Sequence, residues 1–229
     1  MDPVTEALIR EAEILIEGRL VDASNATLLG KVREDIAVIY KPIAGERPLW
    51  DFPTGNLASR EVASYELSRL GGFDIVPFTI LRNGPYGIGA VQQWIDIDEE
   101  VDVVAYAQGQ DPQLRKMALF DAITNNTDRK YGHILLTEEG KLFGCDHGVT
   151  FHEDNKLRTV IWQFAGLALT EEEIEQLRHV ITMLPTWELH HYLSMSELAA
   201  LNMRLNSLLE AASFPFPSED WPAIPWPPF

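Results

Sequence analysis

Residues 125–136 read NNTDRKYGHILL. Five polar or charged residues, Asn125 to Arg129, stand between an apolar helix-like run, MALFDAI (117–123), and the apolar run HILL (133–136). Taken singly, Asn, Thr and Asp are turn residues, because their short side chains bond the nearby backbone. Wedged between two core-forming runs, they raise the question of whether Asp128 does chemistry. Arg129 follows it at once and can hold the loop, and His133, five positions on, can point back into it. Asp146 comes eighteen positions later (146 − 128 = 18), after HILL, the turn TEEG and KLFGCD. That strand–turn–strand pattern returns the chain to where it left, so Asp146 can face Asp128. Two carboxylates brought together in this way fit a metal site or an acid/base pair. Gly144 and Gly148 flank Asp146 and suit a backbone that turns sharply close to something else.

The pattern upstream is that of a sheet with one helix. ILIEGRLV (14–21) alternates as a strand, DASNA (22–26) is turn chemistry, and TLLGKV and IAVIYKP are two further strands joined at REDI. Residues 14–42 thus read as an antiparallel meander with Lys41 near the end of its last strand. A long loop, IAGERPLWDFPTG (43–55), leads to LASREVASYELSRL (57–70), whose composition is helical and which Gly71 and Gly72 terminate. FDIVPFTIL and YGIGAVQQWID read as strands again. Lys41, behind the apolar AVIY, either snorkels to solvent or neutralises a buried anion, for which Glu61 or Glu66 on the helix is available.

Downstream the chain turns helical. DPQLRKMALFDAIT (111–124) is a helix, and Thr170 with Glu173 and Ser194 with Glu197 are capping boxes that start two more. The run EEEIEQ (171–176) complements a helix dipole. The Pro- and Trp-rich FPFPSEDWPAIPWPPF (214–229) reads as an extended segment packed on the surface. His147, His190, His191 and the tryptophans read as packing residues. A boundary near residue 95 separates the sheet-rich part, 1–95, from the helical part, 96–229, the two together forming one catalytic domain.

Composition narrows the function classes. The chain has 229 residues, 46% of them hydrophobic, enough for a full core. A formal charge of −17 disfavours nucleic acid and anionic membrane surfaces, both of which call for Lys/Arg patches. The single cysteine, Cys145, allows no disulfide within the chain and sits in an apolar run. No apolar run approaches a membrane span, and the acidic start MDPVTEALIREAE lacks the layout of a signal peptide. The expected setting is reducing and cytoplasmic.

The order of parts is polar turn, strand lysine, helix glutamate, strands, helix, Asp loop, hairpin and Asp-x-Gly, which is that of a protein-kinase-like fold. The stretches GRLVDASNATLLGKV, VIYKPIAGERPLWDFPTGNLASREVASYEL, ALFDAITNNTDRKYGHILL, GCDHGVTFHEDNKLRTVIW and DWPAIPWPPF resemble the phosphatidylinositol 3-/4-kinase superfamily. They are similar in style to the type II phosphatidylinositol 4-kinases and, more narrowly, to small bacterial phosphatidylinositol-kinase-like proteins.

The resemblance implies an α+β, two-lobed fold and an ATP-dependent kinase using Mg²⁺ or Mn²⁺. It puts Ser24 and Asn25 over the ATP phosphates, Lys41 on the α/β-phosphates and Glu61, rather than Glu66, on that lysine. Gln92, Gln93 and Trp94 become the hinge over adenine, Asp128 the catalytic aspartate with Arg129 beside it, and Asp146 the metal-binding aspartate. Lys156 and Arg158, in FHEDNKLRTV, would face the acceptor. Two departures stand out. The family carries Asn where this chain has His133, a nitrogen ligand better matched to Mn²⁺ than to Mg²⁺. The phosphate loop is also poor in glycine. The acceptor is a hydroxyl on a lipid headgroup, a soluble polyol or metabolite, or a protein. The alternatives are a nucleotide-binding pseudokinase and a nucleotidyl transferase.

Overall fold

The computed structural model describes residues 2–20, 25–33, 36–52 and 55–229. Helix α1 (Pro3–Glu11) comes first, then strands β1 (Ile14–Arg19), β2 (Leu28–Val32) and β3 (Ile36–Pro42). Helix α2 (Leu57–Leu70) and strands β4 (Thr79–Gly84) and β5 (Gly87–Gln93) complete the first part. A five-stranded antiparallel sheet runs β1-β2-β3-β5-β4. Lys41 pairs with Ala90 in the register between β3 and β5.

Helix α1 is not foreseen in the sequence reading. Asp2 caps it through Val4 N and Thr5 N, Pro3 opens its first turn, and Arg82 donates to the carbonyls of Ile9 and Ala12 at its end. Its Ile9 is buried against Val38, Tyr40 and Phe78 of the sheet layer. Helix α2 lies against the same sheet through Ala58 and Val62, which pack on Ala90. Its start is doubly held, since Asn56 accepts from Ser59 N and the Glu46 carboxylate accepts from Leu57 N and Ala58 N. The strand expected from Phe73 begins only at Thr79. Residues Phe73, Ile75 and Val76 are instead buried side chains of a loop, in which Asp74 adopts a left-handed φ of 52°.

The second part is built on α3 (Val103–Ala107), α4 (Pro112–Thr124), α5 (Glu171–Met183) and α6 (Met195–Ala211), with a two-stranded hairpin of β6 (Ile134–Leu136) and β7 (Leu142–Gly144). The capping boxes of Thr170 with Glu173 and Ser194 with Glu197 start α5 and α6. Leu114, Met117, Phe120 and Ile123 of α4 enter one core with Leu201 and Leu205 of α6. Helix α4 is therefore encased, and the loop that follows it is fixed at its origin. No helix among the described residues is long and apolar enough to cross a membrane. The architecture is α+β, with an antiparallel sheet and one large helix preceding a mostly helical part.

Close packing of β5 on β3 supplies a stability test. A Cβ at Gly89 would meet the Lys41 carbonyl and lie 2.6 Å from Pro42 Cα, whereas one at Gly18 meets nothing within 4 Å. Gly89→Ala lowers the unfolding free energy by about 1–3 kcal/mol, and Gly18→Ala shifts it by less than about 0.5 kcal/mol, both read from urea denaturation.

Candidate active site

The stretch that looked like a solvated turn is almost wholly buried. Asn125, Asn126, Thr127 and Arg129 are each 5% exposed or less. Each polar group has a partner. Asn125 ends α4 in a left-handed conformation, φ 53°. Its side chain donates to the carbonyls of His152 (3.0 Å) and Asp154 (2.6 Å) and accepts from Lys156 N (2.8 Å). Asn126 donates to Asp121 Oδ1 and accepts from Asp128 N, both at 3.0 Å. Thr127 donates from backbone and hydroxyl to Val149 O.

Arg129 sits at the centre of this network with no exposed surface. Its Nε and Nη2 donate to the Asp121 carboxylate, Nη1 to the carbonyls of His133 and Cys145, and Nη2 to His147 Nε2 at 2.7 Å. The guanidinium thus ties α4, the loop, the end of the hairpin and the residue after Asp146 together. Since Arg129 reaches no open space, the expectation of a catalytic arginine is corrected to that of a positioning residue. Burial and the Arg129 charge keep His147 neutral, far below its usual pKa. Its Nε2 accepts from Arg129, which leaves the proton on Nδ1. Asp121 was missed in the sequence. Its signal was a lone carboxylate inside the apolar run MALFDAI.

Asp128, His133 and Asp146 converge. Each offers a ligand atom, and these atoms lie within 4.8 Å of one another. His133 stands in the short 3-10 turn Tyr131–His133. Its Nδ1 lies 2.9 Å from the Asp128 carbonyl and 3.5 Å from Lys130 N. The shorter contact assigns the proton to Nδ1, which leaves Nε2, 3.4 Å from Asp146 Oδ2, with its lone pair toward the carboxylates. Burial holds His133 down at about 4, so it is neutral at physiological pH. Asp146 adopts a left-handed φ of 58°, a conformation Asp tolerates better than most residues.

Lys41 reaches the same place from β3. Its Nζ is 2.7 Å from Asp146 Oδ1 and bonds Glu61 Oε1. Burial alone would lower the Lys41 pKa, and the two carboxylates reverse that and raise it. Lys41 in turn holds Asp146 well below the carboxylate range. Glu61 is 2% exposed, and its other oxygen accepts from His147 N at 2.9 Å. Helix α2 therefore grips both the strand lysine and the segment after Asp146. Glu66 pairs instead with Arg69 on a more exposed face.

Other expected residues are placed differently. Ser24 lies outside the described residues. Asn25 is hooked to the 43–47 loop, accepting from Arg47 N at 2.8 Å. Gln92 is buried, and its side-chain amide donates to Thr79 Oγ1 inside the sheet. The N–H of Gln93 goes to Phe78 O and that of Trp94 to Ala37 O, while the Trp94 indole donates to Asp96. Lys156 is only 3% exposed, with Nζ 4.6 Å from the Trp221 ring and 5.4 Å from the Trp50 ring. That aromatic packing corrects the expectation that it faces an acceptor. Arg158 lies near enough to Asp128 to favour its ionised form. Burial pushes the Cys145 thiol up to about 12. A cavity of about 240 Å³ opens beside α2, lined by Asp51, Phe52, Arg60, His152, Asp154 and Glu197 among others, and none of the expected site residues borders it.

No family model matches the chain. Protein Rv2133c of Mycobacterium tuberculosis (strain ATCC 25618 / H37Rv) is 36% identical over 264 aligned positions, covering 97% of this chain and 95% of that one. Among solved structures, the Golgi casein kinase superposes with a TM-score of 0.61 over 93% of this chain and 75% of its own, at 13% identity. The same kinase with Mn/ADP bound gives 0.60 over 93% and 76%, also at 13% identity. The Helicobacter pylori proinflammatory kinase CtkA gives 0.52 over 90% and 94%, at 12% identity. At such identities the likeness establishes the fold, which is kinase-like.

Burial pushes the Asp128 carboxyl up to about 6; Lys130, 3.5 Å away, opposes the rise and Asp146 adds to it. A carboxyl raised in the folded state above its unfolded value near 3.9 weakens stability at neutral pH, where it is ionised in both states. Below that value it is protonated in both states and the cost vanishes. Asp128→Asn therefore raises the unfolding free energy by about 1–2 kcal/mol at pH 7, and the gain disappears near pH 3.5 to 4, as measured by denaturant titration at each pH.

Proposed function

Because the chain belongs to the family of protein Rv2133c and has a kinase-like fold, we propose that it is an ATP-dependent phosphotransferase acting on a hydroxyl group. One observation carries this reading. Lys41 and Glu61 from the sheet part meet Asp146, Asp128 and His133 from the helical part in one cluster. Phosphoryl transfer asks little covalent chemistry of a protein and depends on positioning and charge neutralisation.

The residues fit distinct roles. Lys41, fixed by Glu61, binds the α/β-phosphates. Asp146 and His133 hold a divalent cation, and the left-handed backbone at Asp146 aims its carboxylate there. A cation so held neutralises charge developing on the phosphoryl oxygens. A donor pair of one carboxylate and one neutral imidazole accepts Mn²⁺ more readily than Mg²⁺, which prefers oxygen alone. The Golgi casein kinase structure with Mn/ADP bound supports the same choice by analogy of fold. Asp128, ionised above pH 6, orients the acceptor hydroxyl and takes its proton as the oxygen bonds to phosphorus and ADP leaves. Arg129 acts on none of these groups directly; it holds the loop that presents them.

The acceptor is the open part of the proposal. The sequence resemblance favours an inositol-type headgroup, and the kinase-like neighbours include a casein kinase. The net charge of −17 weighs against an anionic membrane surface and toward a soluble polyol, metabolite or protein hydroxyl.

The test uses ATP labelled at the α- or the γ-phosphate with candidate acceptors and either ion. Label transferred from the γ-position supports a kinase; label from the α-position supports a nucleotidyl transferase, and nucleotide binding with no transfer a pseudokinase. Asp146→Asn lowers transfer by roughly 100-fold or more. Lys41→Met cuts the rise in Tm produced by ATP and Mn²⁺, because ligand stabilisation scales with affinity. His133→Asn shifts the preference from Mn²⁺ toward Mg²⁺; identical rate ratios for the two ions in both proteins would exclude ligation through His133.

A further inference from the structure

The Pro- and Trp-rich stretch contacts the candidate machinery at three points. The Tyr131 N–H, in the turn that carries His133, donates to Pro228 O at 2.9 Å, and the Tyr131 ring packs on the Phe229 ring with centroids 5.6 Å apart. The Thr159 N–H donates to Ala223 O at 3.1 Å, and the Trp162 indole donates to the same carbonyl at 2.7 Å. Thr159 is itself bridged to Arg129, whose N–H goes to Arg158 O and whose carbonyl accepts from Val160 N. The Trp221 ring lies against Lys156, whose backbone N–H is held by Asn125.

The chemistry of the stretch suits it to this placement. Four prolines, Pro222, Pro225, Pro227 and Pro228, fix φ and leave few donors in need of partners, so little entropy is lost on docking. Residues alternate as in an extended chain. Pro225 is buried and Ala223 and Pro228 are half-buried, whereas Ile224 and Trp226 point outward, Trp226 with 89% exposure. The stretch is thus attached by one side only, and that side lies on the catalytic loop and on the segment bridged to it.

We propose that residues 221–229 are a positioning strap, which holds the turn Tyr131–His133 and the strip 158–160 so that His133 stays aligned with Asp128 and Asp146. Its contribution to turnover rests on the phosphotransferase reading; its contribution to loop geometry does not. The strap touches neither Lys41 nor Glu61, so it acts on the alignment of the loop and not on the capture of nucleotide.

The test compares the full chain with a deletion of 221–229, with Phe229→Ala, and with Trp226→Ala, whose side chain faces away. Amide exchange is read at Tyr131 and Thr159, the imidazole ¹⁵N signals at His133, and kcat separately from ATP affinity. In the deletion, exchange at both amides rises about tenfold or more, the His133 signals move, and kcat falls about tenfold with ATP affinity unchanged. Phe229→Ala gives the same changes at Tyr131 and His133 in smaller measure, and Trp226→Ala gives none. If the deletion unfolds the chain, so that α4 amides exchange as well, Phe229→Ala decides. Unchanged exchange at Tyr131 together with unchanged His133 signals overturns the strap. A full chain that transfers no phosphoryl group overturns the phosphotransferase reading instead, while the exchange and His133 readouts still decide the strap.

Discussion

The buried Arg129–Asp121 pair is the interaction on which the rest of the site depends. Neither side chain has any exposed surface. An ion pair so placed persists only when its remaining donors and lone pairs are satisfied, and breaking one costs about 3–5 kcal/mol because the partner charge is left stranded. Burial would lower the arginine pKa, and the Asp121 carboxylate outweighs it, so Arg129 stays charged. The donors left over from Asp121 go to His133 O, Cys145 O and His147 Nε2. Those acceptors belong to the two loops that carry the converging carboxylates. The pair converts the rigidity of an encased helix, α4, into fixed geometry at Asp128 and Asp146.

A second chain of charge crosses from the sheet. Glu61, Lys41 and Asp146 alternate in sign, and each lies within hydrogen-bond reach of the next. Glu61 is pushed up by burial, with Lys41 opposing the rise and Asp146 adding to it, and it also accepts from His147 N. The lysine is therefore neither snorkelling nor free; it is the only described cation bonded directly to Asp146. The two networks meet at His147, one through its backbone and the other through its ring. Asp128 stands apart from both, held by a single ion pair to Lys130, and burial keeps its carboxyl raised to about 6.

The sequence made the fold readable where periodicity and punctuation agreed. Helix α2 begins and ends where LASREVASYELSRL does, and α4 and the 134–144 hairpin follow their patterns to within a residue or two. The misreadings have physical causes. The nine residues of α1 are read in the sequence only as an acidic start without the layout of a signal peptide, although Asp2 and Pro3 are a cap and a first-turn proline. FDIV has the apolar density of a strand, but Pro77 and the left-handed Asp74 keep it a loop whose side chains fill the core. At the site, the spacing of Asp128 and Asp146 was informative because a hairpin is a local structure. The role of Asp121 was not legible, since a buried carboxylate is recognised only from its partner across space. Lys156 shows the reverse case. A basic residue in a polar run looks exposed, and only the two tryptophans reveal that it is enclosed.

The hairpin between Asp128 and Asp146 also bears on the order of assembly. Those carboxylates are eighteen positions apart (146 − 128 = 18) and meet through short-range contacts, whereas the bond from Lys41 to Asp146 spans 105 positions. Loop closure makes the first encounter early and the second late. An intermediate with the helical part formed and the sheet undocked would hold facing carboxylates with no lysine between them. Their mutual repulsion opposes that intermediate, and docking of β3 and α2 relieves it. The charges clustered at Lys41, Glu61, Asp128 and Asp146 thereby make folding of the two parts cooperative, and a chain with an incomplete sheet lacks the complete cluster.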